Sequence, residues 1–88
     1  MKVFQTAIFR KQIKKLHDNQ KQQLDEAVKI IVNEPQIGNM KKGDLSSVRV
    51  YKFRMTNQLT LLAYKTDIDE ITLVSVGSHE NFYRDIKH

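Results

Sequence analysis

Val48-Arg49-Val50-Tyr51-Lys52-Phe53-Arg54-Met55 is where this chain declares its architecture. Side chains along a β-strand alternate between two faces, so Val48, Val50, Lys52 and Arg54 share one face while Arg49, Tyr51, Phe53 and Met55 share the other. Downstream the same period continues. Thr56-Asn57-Gln58 reads as a turn, Leu59 to Thr66 as a second strand apolar on both faces, Asp67 to Glu70 as another turn, and Ile71 to Val76 as a third strand. Strands joined by short polar turns pair as an antiparallel meander, and the doubly apolar run belongs at its covered centre.

Upstream the period is 3.6. Met1 to Gln5 reads as a short strand anchored by Val3 and Phe4. Thr6 then caps a helix whose Phe9, Ile13 and Leu16 recur at i, i+4 and i+7, with Arg10, Lys11, Lys14 and Lys15 facing elsewhere. That helix is expected to end around His17, with Asp18 and Asn19 capping a second one that runs to Asn33. Leu24, Ala27, Val28 and Ile31 form the second stripe, and Pro35 stops it by removing a backbone donor and disfavouring helix at Glu34. Pro35 to Gly43 is a loop. A helical hairpin with one apolar face needs a flat surface to cover, and the meander supplies it. The predicted fold is therefore α+β: an N-terminal strand and helical hairpin packed on an antiparallel meander, with a short C-terminal helix.

With 88 residues and neither linker nor repeat, the chain reads as one domain spanning 1–88. It has no cysteine, which excludes disulfides and thiolate metal sites and fits a reducing cytoplasm. No window approaches the roughly 18 apolar residues of a membrane span. Fifteen Lys and Arg against ten Asp and Glu give a net charge of +5, the footprint of a binder of nucleic acid or of an acidic protein.

Chemistry concentrates in Val76-Gly77-Ser78-His79-Glu80-Asn81-Phe82-Tyr83-Arg84-Asp85, where a strand ends at Gly77 and Ser78 can cap a closing helix. Imidazole titrates near neutrality, so His79 is the best general acid or base. Tyr83 lies four residues later, on the same helix face, where it can donate a hydrogen bond or stack on a splayed base; packing at the core edge beside Phe82 and Ile86 is an equal reading. Lys52 and Arg54, two residues apart on one strand face, stand roughly 7 Å from each other and can meet one phosphate and its neighbour, unless they are simply a solvated basic face. Arg84 and, more weakly, Arg49 are further phosphate contacts. No Gly-rich phosphate loop or paired-ligand spacing occurs, so neither a metal nor a cofactor is expected. The carboxylates Asp67, Asp69 and Glu70 read as a solvated turn.

Taken together, Gly43-Asp44-Leu45 leading into Val50-Tyr51-Lys52-Phe53-Arg54, then Leu61-Leu62-Ala63-Tyr64, Val76-Gly77-Ser78-His79 and Phe82-Tyr83-Arg84 resemble the RelE/ParE superfamily of bacterial type II toxin-antitoxin toxins, across essentially the whole chain. For the RelE-type branch the resemblance implies a ribosome-dependent, metal-independent mRNA endoribonuclease (an mRNA interferase) that inhibits translation. It implies a basic pair on the first meander strand, matched by Lys52 and Arg54, and an Arg or His plus a Tyr near the C-terminus, matched by His79 and Tyr83. It also implies an Arg on the second strand, where this chain has Leu61. The ParE-type branch shares the fold, generally lacks the RNase residues and inhibits DNA gyrase. Either branch implies a cognate antitoxin, acidic and partly disordered, and a cytoplasmic setting. A member that only binds its antitoxin is the third possibility.

Overall fold

The structure, a computed structural model, describes residues 2–40 and 48–78. Seven elements follow in order: β1 (Lys2–Gln5), α1 (Ala7–Ile13), α2 (Asp18–Asn33), β2 (Asn39–Met40), β3 (Arg49–Met55), β4 (Gln58–Asp67) and β5 (Glu70–Ser78). The strands form one sheet in the order β1-β5-β4-β3-β2. β3, β4 and β5 are the expected antiparallel meander, with β4 at the centre. Its Leu61, Leu62, Ala63 and Tyr64 have no solvent exposure.

Both helices lie on one face. Thr6 caps α1 as its sequence position demands: the Phe9 N–H donates to Thr6 Oγ1 at 3.1 Å, and the Thr6 hydroxyl donates to the Val74 carbonyl at 2.7 Å. Phe9, Leu24, Ala27 and Ile31 bury against Met55, Leu62, Tyr64, Ile71, Leu73 and Val76. Each fully buried side chain of this kind contributes about 1.5–3 kcal/mol. Val48, Val50, Leu61 and Ala63 form a second apolar cluster. Pairing partners project to the same face, so the alternation of β3 and β4 puts this cluster on the sheet side opposite the helices.

Five details differ from the sequence reading. α1 stops at Ile13 rather than near His17, because the chain tightens into i→i+3 bonds: Lys15 N–H to Gln12 C=O and Leu16 N–H to Ile13 C=O, both 3.2 Å. His17 itself caps α2, its N–H donating to Gln20 Oε1 at 2.8 Å, and Asp18 takes the first turn, where a carboxylate suits the helix N-terminus. Inside the expected loop, Asn39 and Met40 pair with Val50 and Arg49 as a short edge strand. The third meander strand runs on through Gly77 and Ser78, which pair with Leu61 and Thr60. β1 also joins β5 in parallel, a long-range pairing that leaves no local pattern. The expected C-terminal helix and Gly43-Asp44-Leu45 lie outside the described residues.

The β3–β4 hairpin closes through Thr56 and Asn57, whose φ values of 50° and 67° give the twist that a two-residue hairpin needs. Thr56 is β-branched and adopts this conformation under strain. Gln23 Oε1 on α2 holds it there, accepting the Thr56 N–H at 2.7 Å. No helix among the described residues is long and apolar enough to cross a membrane.

Candidate nucleic-acid interface

Strand parity sends the basic residues of β3 in two directions. Parity directs Lys52 and Arg54 to the face away from the helices, and both are exposed; the Arg54 side chain, near the end of β3, also borders a cleft with Gln23, Glu26 and Ile30 of α2. Lys52 sits directly opposite Leu61, which in turn sits opposite Gly77; Arg54 sits opposite Leu59. Neighbouring strands are about 4.8 Å apart, so Gly77 on β5 is roughly 10 Å across the sheet from Lys52. β5 thus brings the chain to within two strands of the basic pair as it reaches Ser78. Arg54 has one long hydrogen bond, Nη1 to the Asn57 carbonyl at 3.5 Å.

Leu61 stands where the RelE-type pattern has a second-strand Arg, and the register puts that position beside Lys52. Its side chain is fully buried with Val48, Val50 and Ala63. At this point the surface next to Lys52 is backed by hydrocarbon.

Arg49 goes elsewhere. It is half-buried on the helix side, across from Tyr64, and its Nη1 donates to the carbonyls of Gly38 at 2.8 Å and Gln36 at 3.3 Å. Tyr64 completes the clamp: its buried hydroxyl accepts the Gly38 N–H at 2.9 Å and donates to the Pro35 carbonyl at 2.8 Å. Burial pushes the Tyr64 phenol above its ordinary value, against the opposing pull of the Gly38 N–H and the Arg49 charge. The two residues together tie the α2–β2 connection to the sheet. Gly38 packs so closely that a Cβ there would lie 2.7 Å from Tyr64 Oη. Arg49 is therefore not brought to the surface that carries Lys52 and Arg54. His79, Tyr83 and Arg84 lie outside the described residues.

Sequence reasoning passed over Gln12. Beyond Leu73, β5 has no pairing from β1, and Gln12 covers the exposed edge: its Oε1 accepts the Val76 N–H at 2.8 Å and its amide donates to Ser75 Oγ at 3.0 Å. A glutamine one residue before the apolar Ile13 of α1 was the available signal.

Residues 3–87 match the model of a family described as the ParE-like toxin of type II bacterial toxin-antitoxin systems. The chain belongs to this family. Two solved structures share the fold. A chain of the intact E. coli RelBE toxin-antitoxin complex superposes with a TM-score of 0.71 at 19% identity, over 88% of this chain and 94% of that one. The solution structure of the conserved hypothetical protein HP0894 from Helicobacter pylori gives 0.57 at 21% identity, over 91% of this chain and 96% of that one. No curated protein sequence matches. The protein is thus a type II toxin with the RelE-like fold, and a cognate antitoxin is its partner.

Proposed function

We propose that this toxin cleaves messenger RNA on the ribosome without a metal ion and so halts translation. The observation that supports this reading is the placement of Lys52 and Arg54: two exposed cations on one strand face, two strands from the end of β5, where the chain continues toward His79. In the proposed reaction the ribose 2′-oxygen attacks the adjacent phosphorus, the bond to the 5′-oxygen breaks, and a 2′,3′-cyclic phosphate and a free 5′-hydroxyl result. A base takes the 2′-proton and an acid returns one to the leaving 5′-oxygen; His79 fills one of these roles. Lys52 and Arg54 neutralise the charge that builds on the phosphate oxygens. Tyr83 stacks on or hydrogen-bonds the displaced base, and Arg84 adds a phosphate contact. Arg49 serves RNA only indirectly, through the clamp it makes.

The test is transcript-end mapping after induced expression in a bacterial host. New ends are expected within translated regions. Lys52→Ala or His79→Ala should abolish both these ends and the toxicity while antitoxin binding is retained; full toxicity in both variants would reject the reading.

A second reading, inhibition of DNA gyrase, is favoured by two observations, the ParE-like family model that the chain matches and the buried Leu61 in place of a phosphate-binding Arg. It predicts cleaved DNA in cells and a supercoiling defect in vitro. A chain inert in both assays would be an antitoxin-binding member alone.

A further inference from the structure

The outer edge of β3 is only partly covered. β2 pairs with Val50 and Arg49 alone, so from Tyr51 to Met55 that edge has no neighbouring strand among the described residues. Tyr51 and Phe53 project from this stretch to the helix side, where they pack against the rim of the main core and stay half-buried. Their rings are nearly parallel, with planes 13° and centroids 6.0 Å apart, and form a short aromatic stack.

The stack faces a cleft of ≈ 230 Å³ between α2 and β3, whose other walls are Gln23, Glu26 and Ile30 of α2 and Arg54 at the end of β3. Packing alone asks only for apolar surface here. The cleft adds a donor, an acceptor and a cation. Gln23 Oε1 already accepts the Thr56 N–H at 2.7 Å, which leaves the amide NH2 to donate, while the Glu26 carboxylate accepts. Arg54 is exposed and shares its strand parity with Lys52. An aromatic face, a donor and an acceptor for the rim of a heterocycle, and a guanidinium for the adjoining phosphate are the components of a single-stranded RNA subsite. Glu26 repels a phosphate, so the base enters the cleft and the backbone stays beside Arg54.

We propose that an unpaired RNA base, adjacent to the phosphates met by Lys52 and Arg54, turns around the open edge of β3 and stacks on Tyr51 and Phe53. The RNA then straddles the strand, with phosphates held on one face and a base on the other, and Arg54 borders both. This inference rests on the RNA-cleavage reading and adds to it a subsite for a neighbouring base.

The experiment titrates the full chain with a short single-stranded RNA carrying 2′-O-methyl riboses, which blocks attack by the 2′-oxygen. Affinity is measured together with the NMR signals of the aromatic rings. Binding should shift the Tyr51 and Phe53 ring protons upfield. Removing the base from one nucleotide at a time should reveal a position where the loss weakens binding roughly tenfold. In Tyr51→Leu/Phe53→Leu, which keeps apolar cover over the core, the penalty at that position should vanish. Lys52→Ala should instead weaken intact and abasic RNA alike. A variant that merely folds less well loses affinity for both RNAs equally, so the comparison separates stacking from stability. Binding that depends on Lys52 but leaves both rings unmoved, or the same abasic penalties in the double Leu variant, would overturn the base subsite while the cleavage reading stands. Failure of the wild type to bind either RNA would overturn both. Ring shifts that follow protein concentration without RNA would also overturn the proposal, by assigning the cleft to a second copy.

Discussion

Arg49 and Arg54 occupy one strand, five residues apart, and do opposite things. Odd parity turns Arg49 toward the helices, where the α2–β2 connection returns across its path and takes two hydrogen bonds from its guanidinium. Even parity gives Arg54, with Lys52, to the other face, and both side chains are exposed. The lesson is that the net charge of +5 is not one surface: part of it stabilises the fold, and part stays available to a ligand. Substitutions at Arg49 and its partners should therefore cost stability, and those at the exposed Lys52 and Arg54 should cost function.

The largest effect is expected at the centre of the helix side. Ile31→Ala removes a side chain with no exposure and should lower unfolding free energy by about 2–5 kcal/mol in a denaturant titration. Next comes the clamp. Tyr64→Phe leaves the Gly38 N–H and the Pro35 carbonyl without their partner and should cost about 1–3 kcal/mol. It should also change the alkaline limb of the stability profile. Because the folded phenol resists ionisation, stability held below the ordinary phenol pKa of 10.0 is lost as pH rises past it; the Phe variant should lose less over that range in the same titration.

How far the sequence reveals this division depends on distance along the chain. The periods of 3.6 and 2, the Thr6 cap, the Pro35 stop and the opposed faces of β3 are local patterns and were all legible. β2 was hidden because two residues carry no period, and the parallel β1–β5 pair because its partners lie 68 positions apart, as Val3 and Ile71 show. Arg49 could be assigned a face from its parity but not a partner, since the carbonyls it binds come from a loop that only the folded chain returns to that face. Lys52 and Arg54 were placed together by parity alone. Leu61 was identified by motif order, and the register then set it directly beside Lys52.

Two smaller effects sharpen the comparison. Thr56→Asn relieves a β-branched residue at φ 50° and should stabilise the hairpin by about 0.5–1 kcal/mol, read as a raised midpoint in thermal unfolding. Lys52→Ala and Arg54→Ala should each leave stability within about 0.5 kcal/mol of wild type, since both side chains are exposed.

The division of labour on β3 is tested most directly by assaying the folded Lys52→Ala/Arg54→Ala double variant on ribosomes programmed with messenger RNA, reading 3′ ends by primer extension. The account predicts that wild type generates new ends in the translated region and that the double variant, equally stable and still bound by antitoxin, generates none. Cleavage by the double variant at the wild-type rate would contradict it.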